Sequence, residues 1–265
     1  MAGNNQPPVA LTIAGSDSSG GAGIQADLRT FAALGVYGTS AITAITAQST
    51  AGVLDAAVLA ADLVAAQIEA LAGDIEIHAV KTGMLGDAAV VEAVAAAIKE
   101  LELPLVVVDP VLASSSGARL LDDDGVEMLC AALMPLARVV TPNVAEAEVL
   151  SGNRIESDKD LRDAAKRIHD LGPAAVIITG GHYTGQDNNI VVDLLFDGRV
   201  FTEFRAPRVD VAATHGTGCT YASAVAAHLA LGKTLAEAAE LAQRYVAAAI
   251  SRAIAIGKGA LILRG

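Results

Sequence analysis

Cys219 stands behind Gly216, Thr217 and Gly218 in the stretch ATHGTGCTYASAVAAH (213–228), just where a helical pattern begins. Successive backbone N–H groups at a helix start make an anion hole aligned with the helix dipole. The glycines keep it open, so a phosphoryl group can approach. A thiol in such a place is expected to have a lowered pKa and to take a proton from an attacking hydroxyl. The plainer reading, a small buried apolar cysteine, fits Cys130 well and Cys219 poorly.

Other residues with chemistry to offer follow apolar runs. In VVVDPVL (106–112), Asp109 ends a buried stretch before Pro110. A carboxylate there is costly unless it meets a metal, a cation or hydrogen-bond donors. In TPNVAE (141–146), Asn143 and Glu146 are spaced i, i+3. That spacing fits an Asn N-cap with Glu reaching back, and equally two ligands facing a hydrated Mg²⁺. In AGSDSSGGAGIQAD (14–27), Gly20, Gly21 and Gly23 would let backbone approach a ligand, and Asp27 would lie one helical turn further on. The loop ends in neither GK[ST] nor a dinucleotide fingerprint; a plain strand-to-helix turn fits it too. Gln48 offers a donor and an acceptor together, which suits an aminopyrimidine edge. Met84 could wall an apolar ring pocket.

These residues need a scaffold that gathers them. The chain of 265 residues alternates apolar strands with helical patterns: 10–15, 37–46, 75–83, 104–111, 138–143 and 174–181 read as strands, and 22–35, 62–73, 87–101, 125–137 and 160–172 as helices. Residues 189–207 read as a hairpin turning at Asp197-Gly198, and two Ala-rich helices follow near 217–231 and 234–256. Such alternation predicts an α/β fold with a mostly parallel central sheet, helices on both faces and a small flap. Ligands then bind beyond the carboxyl ends of the strands. The net charge of −12 argues against nucleic acid and anionic membranes. The N-terminus lacks a signal-peptide pattern and no apolar run reaches a membrane span, so a cytoplasmic protein with free thiols is expected.

Taken together, these stretches resemble the ribokinase superfamily. GTGC is similar to its GxGD signature, with Cys in place of the usual base Asp. Within it, LTIAGSDSSGGAGIQADLRTFAALGVYGTSAITAITAQST, KTGML, TPNxxEA, GGH and THGTGCT resemble, in order and spacing, the bacterial hydroxymethylpyrimidine/phosphomethylpyrimidine kinases of thiamin biosynthesis. The likeness runs from about residue 10 to about residue 259. It implies one ribokinase-like kinase domain over 1–265, with 1–9 a flexible lead-in. It implies ATP and Mg²⁺ as cofactors, a small-molecule pyrimidine substrate and a homodimer.

The resemblance also distributes roles. Gly15, Asp27, Gln48, Met84 and Val111 would contact the pyrimidine. Asp109, Asn143, Glu146, Thr179 and Lys258 would serve MgATP, with Asp109 and Glu146 holding the metal, partly through water. Gly216, Thr217 and Gly218 would form the anion hole and Cys219 would be the base. Relatives that phosphorylate pyridoxal tend to have Met where this chain has Gln48. One departure stands out: the KGGH common in the family is TGGH here, with Thr179 in place of Lys. Pyridoxal kinase and a non-catalytic pyrimidine-binding sensor on the same fold are the alternatives.

Overall fold

Alternation along the short apolar strands decides the layering. In the strand Val106–Val108, Val106 and Val108 enter one core and Val107 the other; in Val176–Ile178, Ile177 likewise points away from its two neighbours. Strands apolar on both faces must be covered on both faces. The computed structural model describes residues 6–114, 117–180, 189–209, 211 and 214–264. Gly181 and His182 of the GGH stretch, and the start of the lead-in, lie outside them.

Among these residues nine strands form one sheet in the order β3-β2-β1-β4-β5-β6-β7-β8-β9. They are β1 (Val9–Asp17), β2 (Tyr37–Ser49), β3 (Gly52–Val58), β4 (Ala79–Thr82), β5 (Val106–Val108), β6 (Val139–Val140), β7 (Val176–Ile178), β8 (Ile190–Phe196) and β9 (Phe201–Pro207). Strands β2, β1, β4, β5, β6 and β7 run parallel, while β3, β8 and β9 pair antiparallel at the two margins. A second small sheet joins β10 (Thr214–His215) to β11 (Leu261–Ile262).

One face carries α2 (Ala61–Ala72), α3 (Ala88–Glu100), α4 (Asp123–Met128), α5 (Val144–Ser151) and α6 (Asp158–His169). The other carries α1 (Gly23–Ala33), α7 (Thr217–Ala230) and α8 (Leu235–Ser251). Most buried positions of helix α7 are Ala, Ser, Val or Thr, with Tyr221 and Leu229 the larger ones. No helix among the described residues is long and apolar enough to cross a membrane.

Several boundaries differ from the sequence expectation. The single helix expected over 125–137 is α4, then one π-helical turn (Leu129–Leu133) and a 3₁₀ turn (Met134–Leu136). Pro135 lacks the N–H that a continuing α-helix would use. The strand expected over 75–83 begins only at Ala79. Strand β2 runs on to Ser49 and pairs with β3, a strand the sequence reading missed because Gly52–Val58 is almost wholly exposed and carries no buried face. This β2–β3 ribbon is the flap, and Gln48 lies on it.

Candidate active site

The glycine-rich loop after β1 is organised by Asp17. Its Oδ2 accepts from Gly21 N (3.0 Å) and Ala22 N (2.8 Å), and its Oδ1 from Ser19 N and Oγ (both 2.8 Å). Burial opposes the charged form, but the bond from His215 and those from Ser19 and Ala22 outweigh it and hold the carboxyl at about 2. The glycines here serve chain-to-chain approach. A Cβ on Gly21 would sit 2.4 Å from the His215 ring, and one on Gly23 would sit 2.3 Å from Gly15 O. Close chain-to-chain approach thus adds to the expected ligand clearance: Gly21 makes room for His215, and Gly23 brings the start of α1 onto β1 while also lining the cavity.

The start of α7 is Gly216, in the left-handed conformation (φ +85°), with a would-be Cβ 1.9 Å from Gly21 O. Only glycine fits. Thr217, Gly218 and Cys219 then form the first turn of α7, whose N–H groups have no acceptor within the helix, and all three line the cavity. A Cβ at Gly218 would meet nothing, so the space in front of it is open.

Below this turn lies a buried ionic cluster. Lys81 is wholly buried on β4, and its Nζ donates to Asp27 Oδ1 (3.1 Å) and Oδ2 (3.0 Å). Thr12 and Ser223 hydroxyls donate to the same carboxylate at 2.6 Å each. Nζ also lies 3.6 Å from Asp109 Oδ2, which accepts no hydrogen bond. Burial alone would strip the proton from Lys81; Asp27, and Asp109 beside it, reverse this and keep the ammonium charged. Lys81 was passed over in the sequence reading. Its signal is a lysine directly after Ala79 and Val80 in a stretch that reads as a strand, a position tolerated only with a buried counter-charge.

Two expected site residues are corrected here. Asp27 does not reach the cavity wall: it is fully buried and engaged by Lys81, Thr12 and Ser223. Cys219 lines the cavity, but its thiol is pushed up to about 12 instead of down. Burial is the main cause, and the Asp109 and Asp27 charges add to it against the pull of Lys81. Burial, the largest cause, outweighs the pull of Lys81 toward the thiolate.

Beyond Asp109, Asn143 caps α5. Its Oδ1 accepts from Glu146 N (3.0 Å), and Glu146 Oε2 accepts from Asn143 N (2.9 Å). The capping box is therefore real, yet both residues also line the cavity, alongside Thr179, which bridges Asn143 from the end of β7. Burial, and then the Asp109 charge, push Glu146 up to about 8, while burial pushes Asp109 to about 6 against Lys81. Among the described residues no three His, Cys, Asp or Glu side chains can cage a metal. Two carboxylates, one with an unpartnered oxygen, fit Mg²⁺ that keeps waters and shares substrate phosphates.

One cavity of about 970 Å³ joins these parts. Gly15, Gln48, Met84, Val111, Asp109, Asn143, Glu146, Thr179, Gly216, Thr217, Gly218 and Cys219 all line it. Lys258 does not. It is exposed on a loop whose Gly259 and Ala260 donate to Thr50 of the flap turn, so it leaves the list of wall residues. The sequence reading also missed Asp193, buried on β8, which accepts from Gly180 N (2.8 Å) and Gln243 Nε2 (2.9 Å) at the cavity wall and is pushed to about 6 by burial.

The raised carboxyls set a pH dependence. Their folded values lie above the unfolded ones, near 4. The folded chain thus keeps protons that the unfolded chain has released, and stability falls as pH rises through that window. The melting temperature of the ligand-free protein is expected to be higher at pH 5 than at pH 8. Equal or reversed values would show that Glu146 and Asp193 ionise freely. Asp17 works the other way, but only below about pH 4.

A mostly parallel sheet with a flap, and an open helix start facing two carboxylates across a small-molecule cavity, define a ribokinase-like small-molecule kinase. The sequence profile of the phosphomethylpyrimidine kinase family matches residues 17–264. The chain belongs to that family. It is 46% identical over 251 residues to the hydroxymethylpyrimidine/phosphomethylpyrimidine kinase of Haemophilus influenzae, covering 94% of this chain and 93% of the other. It is 49% identical over 249 residues to the thiamine biosynthesis bifunctional protein ThiED of Geobacter sulfurreducens, of which it spans 50%. Among solved structures it is similar to a Clostridium difficile phosphomethylpyrimidine kinase (TM-score 0.81, 42% identity, 92% and 99% of the two chains). It is also similar to a Bacillus subtilis pyridoxal kinase in complex with ADP (TM-score 0.89, 38% identity, 98% and 97%).

Proposed function

We propose that the chain transfers the γ-phosphoryl of ATP to 4-amino-5-hydroxymethyl-2-methylpyrimidine and then phosphorylates the monophosphate to the diphosphate. The observation that carries this is the convergence on one cavity of Gln48, Met84 and Gly15 with the Gly216–Cys219 turn. The ring packs between Gly15, Met84 and Val111, and the amide of Gln48 reads its amino edge. The hydroxymethyl oxygen then lies toward Cys219 and the anion hole. Asn143 and Thr179 meet the nucleotide. Asp109 and Glu146 would hold Mg²⁺, which supplies positive charge to the phosphates when bound. Transfer is in line through a loose transition state, so positioning and charge carry most of the catalysis.

The proton of the attacking oxygen passes to Cys219 Sγ. Because the resting thiol is protonated, its own proton moves in the same step to Asp109, the carboxylate it faces. In the second phosphorylation the monophosphate oxygen is already ionised and needs little base. A homodimer belongs to this reading; the exposed Ile45, Leu54 and Val58 of the flap support it.

Pyridoxal kinase is the second reading, favoured by the likeness to the pyridoxal kinase fold and opposed by Gln48. ADP release with MgATP is measured on hydroxymethylpyrimidine, its monophosphate and pyridoxal, with product masses. Turnover on the first two is expected. Turnover mainly on pyridoxal would overturn the assignment of Gln48. Binding of the pyrimidine with no ADP from any of the three would make the chain a sensor.

A further inference from the structure

We propose that His215 is a positioning residue that fixes the hydrogen-bonding polarity of Gln48, and with it the ring edge that the site accepts. The inference rests on the reading of Gln48 as the pyrimidine contact. His215 is buried on β10, one residue before the anion hole, and packed against Gly21. Its Nε2 lies 3.0 Å from Asp17 Oδ2 and 2.8 Å from the Nε2 end of the Gln48 amide. The Oε1 end of that amide lies 3.1 Å from Thr46 Oγ1, and Thr46 Oγ1 in turn donates to Ser16 O (2.9 Å).

Proton counting assigns the two ends of the amide. Asp17 is a carboxylate and can only accept, so His215 Nε2 must carry a hydrogen. The amide atom beside that N–H must then be an acceptor. At the other end, the hydroxyl hydrogen of Thr46 is spent on Ser16, so the neighbouring amide atom must be a donor. Both demands reverse the ends: the amide oxygen faces His215 and the NH₂ faces Thr46. The two ends are near-isosteric, so proton balance alone separates them.

The consequence reaches the substrate. Ser18 Oγ lies 2.9 Å from both the backbone N and O of Gln48, so the residue is held at its backbone while its side chain is held by His215 and Thr46. The amide keeps one N–H and one oxygen lone pair for the cavity. An aminopyrimidine edge offers the complement, a ring nitrogen and an exocyclic NH₂. Exchanging the amide ends exchanges donor and acceptor, and a ring obeying the exchanged pattern would turn its hydroxymethyl away from Cys219. Asp17, His215, Thr46 and Ser16, which line the same cavity, thus act on specificity through the orientation of Gln48.

The test uses the full chain. Imidazole ¹⁵N–¹H correlation on the wild-type protein is expected to show a proton on His215 Nε2; a ring protonated only on Nδ1 would overturn the proposal. Calorimetry then compares hydroxymethylpyrimidine with its analogue lacking the 4-amino group. His215→Leu is expected to bring the ratio of their dissociation constants at least tenfold closer to one, and His215→Gln, which keeps an N–H near the Nε2 position, to retain most of it. Unchanged discrimination in a folded His215→Leu protein would also overturn the proposal. Should the wild type bind neither compound, the kinase reading fails, and the nitrogen assignment alone decides whether His215 orders Gln48.

Discussion

Alanine in place of Cys219 is expected to lower kcat by about 10²–10⁴-fold, the usual worth of a positioned base, with KM for the pyrimidine within about twofold of wild type because binding is not the role of the thiol. Serine is expected to lose less than alanine. The reason is the resting state of the thiol, pushed to about 12 by burial and by the Asp109 and Asp27 charges. A group that holds its proton near pH 7 cannot act as a pre-formed thiolate. It can pass one proton to Asp109 while receiving another from the substrate, and a hydroxyl can do the same. The same state predicts slow alkylation of Cys219 by iodoacetamide at pH 7 in the ligand-free protein. Rapid alkylation would restore the thiolate, and equal kcat in wild type and Cys219→Ala would remove the residue from the mechanism. Serine no better than alanine would leave Cys219 as base and remove the relay to Asp109.

The parts of the fold that could be read from sequence were those with a strong apolar period. Strands β1, β4, β5, β6 and β7 are short runs buried on both sides, and each was visible as such. The turn at Asp197-Gly198, with Gly198 at φ +86°, was legible from its dipeptide alone. The flap strand β3 was not, because an exposed strand has no buried face to imprint a period. The π turn before Pro135 was not, because helical periodicity does not distinguish neighbouring helix types.

In the site, motif spacing led to Asp109, Asn143, Glu146 and Gly216–Cys219, which the structure sets around one cavity. What spacing could not convey was partnership. Asp27 looked like a ligand contact and is the counter-ion of Lys81; of the glycines in the first loop, Gly21 is clearance for His215 and Gly23 for Gly15, while Gly23 also lines the cavity. Cys219 looked activated because the helix start was visible in the sequence, while its burial and the carboxylates facing it were not. Charges distant in sequence and adjacent in space decide a pKa, and only the fold brings 27, 81, 109 and 219 together.

That cluster makes Lys81→Met the substitution with the largest expected effect on stability. Removing one partner of a buried pair leaves the other charge uncompensated and costs about 3–5 kcal/mol, which for a chain of this size lowers the melting temperature by on the order of 10 °C. Here the loss falls on two carboxylates. Asp27 would keep only Thr12 and Ser223 as donors, and Asp109 would lose its only cation among the described residues. Adding Asp27→Asn to Lys81→Met is expected to recover more than half of the loss. The new amide is neutral, and the Thr12 and Ser223 hydroxyls can each turn to donate or accept. Activity would not return with it: Asp109 loses the pull of Lys81, which outweighs the loss of the opposing Asp27 charge, so it holds a proton to higher pH and receives one from Cys219 less readily. The double variant therefore separates the two duties of Lys81: a stable, folded and inactive protein shows that the lysine charges the site as well as filling it. A double variant that regains stability and turnover together would reduce Lys81 to packing.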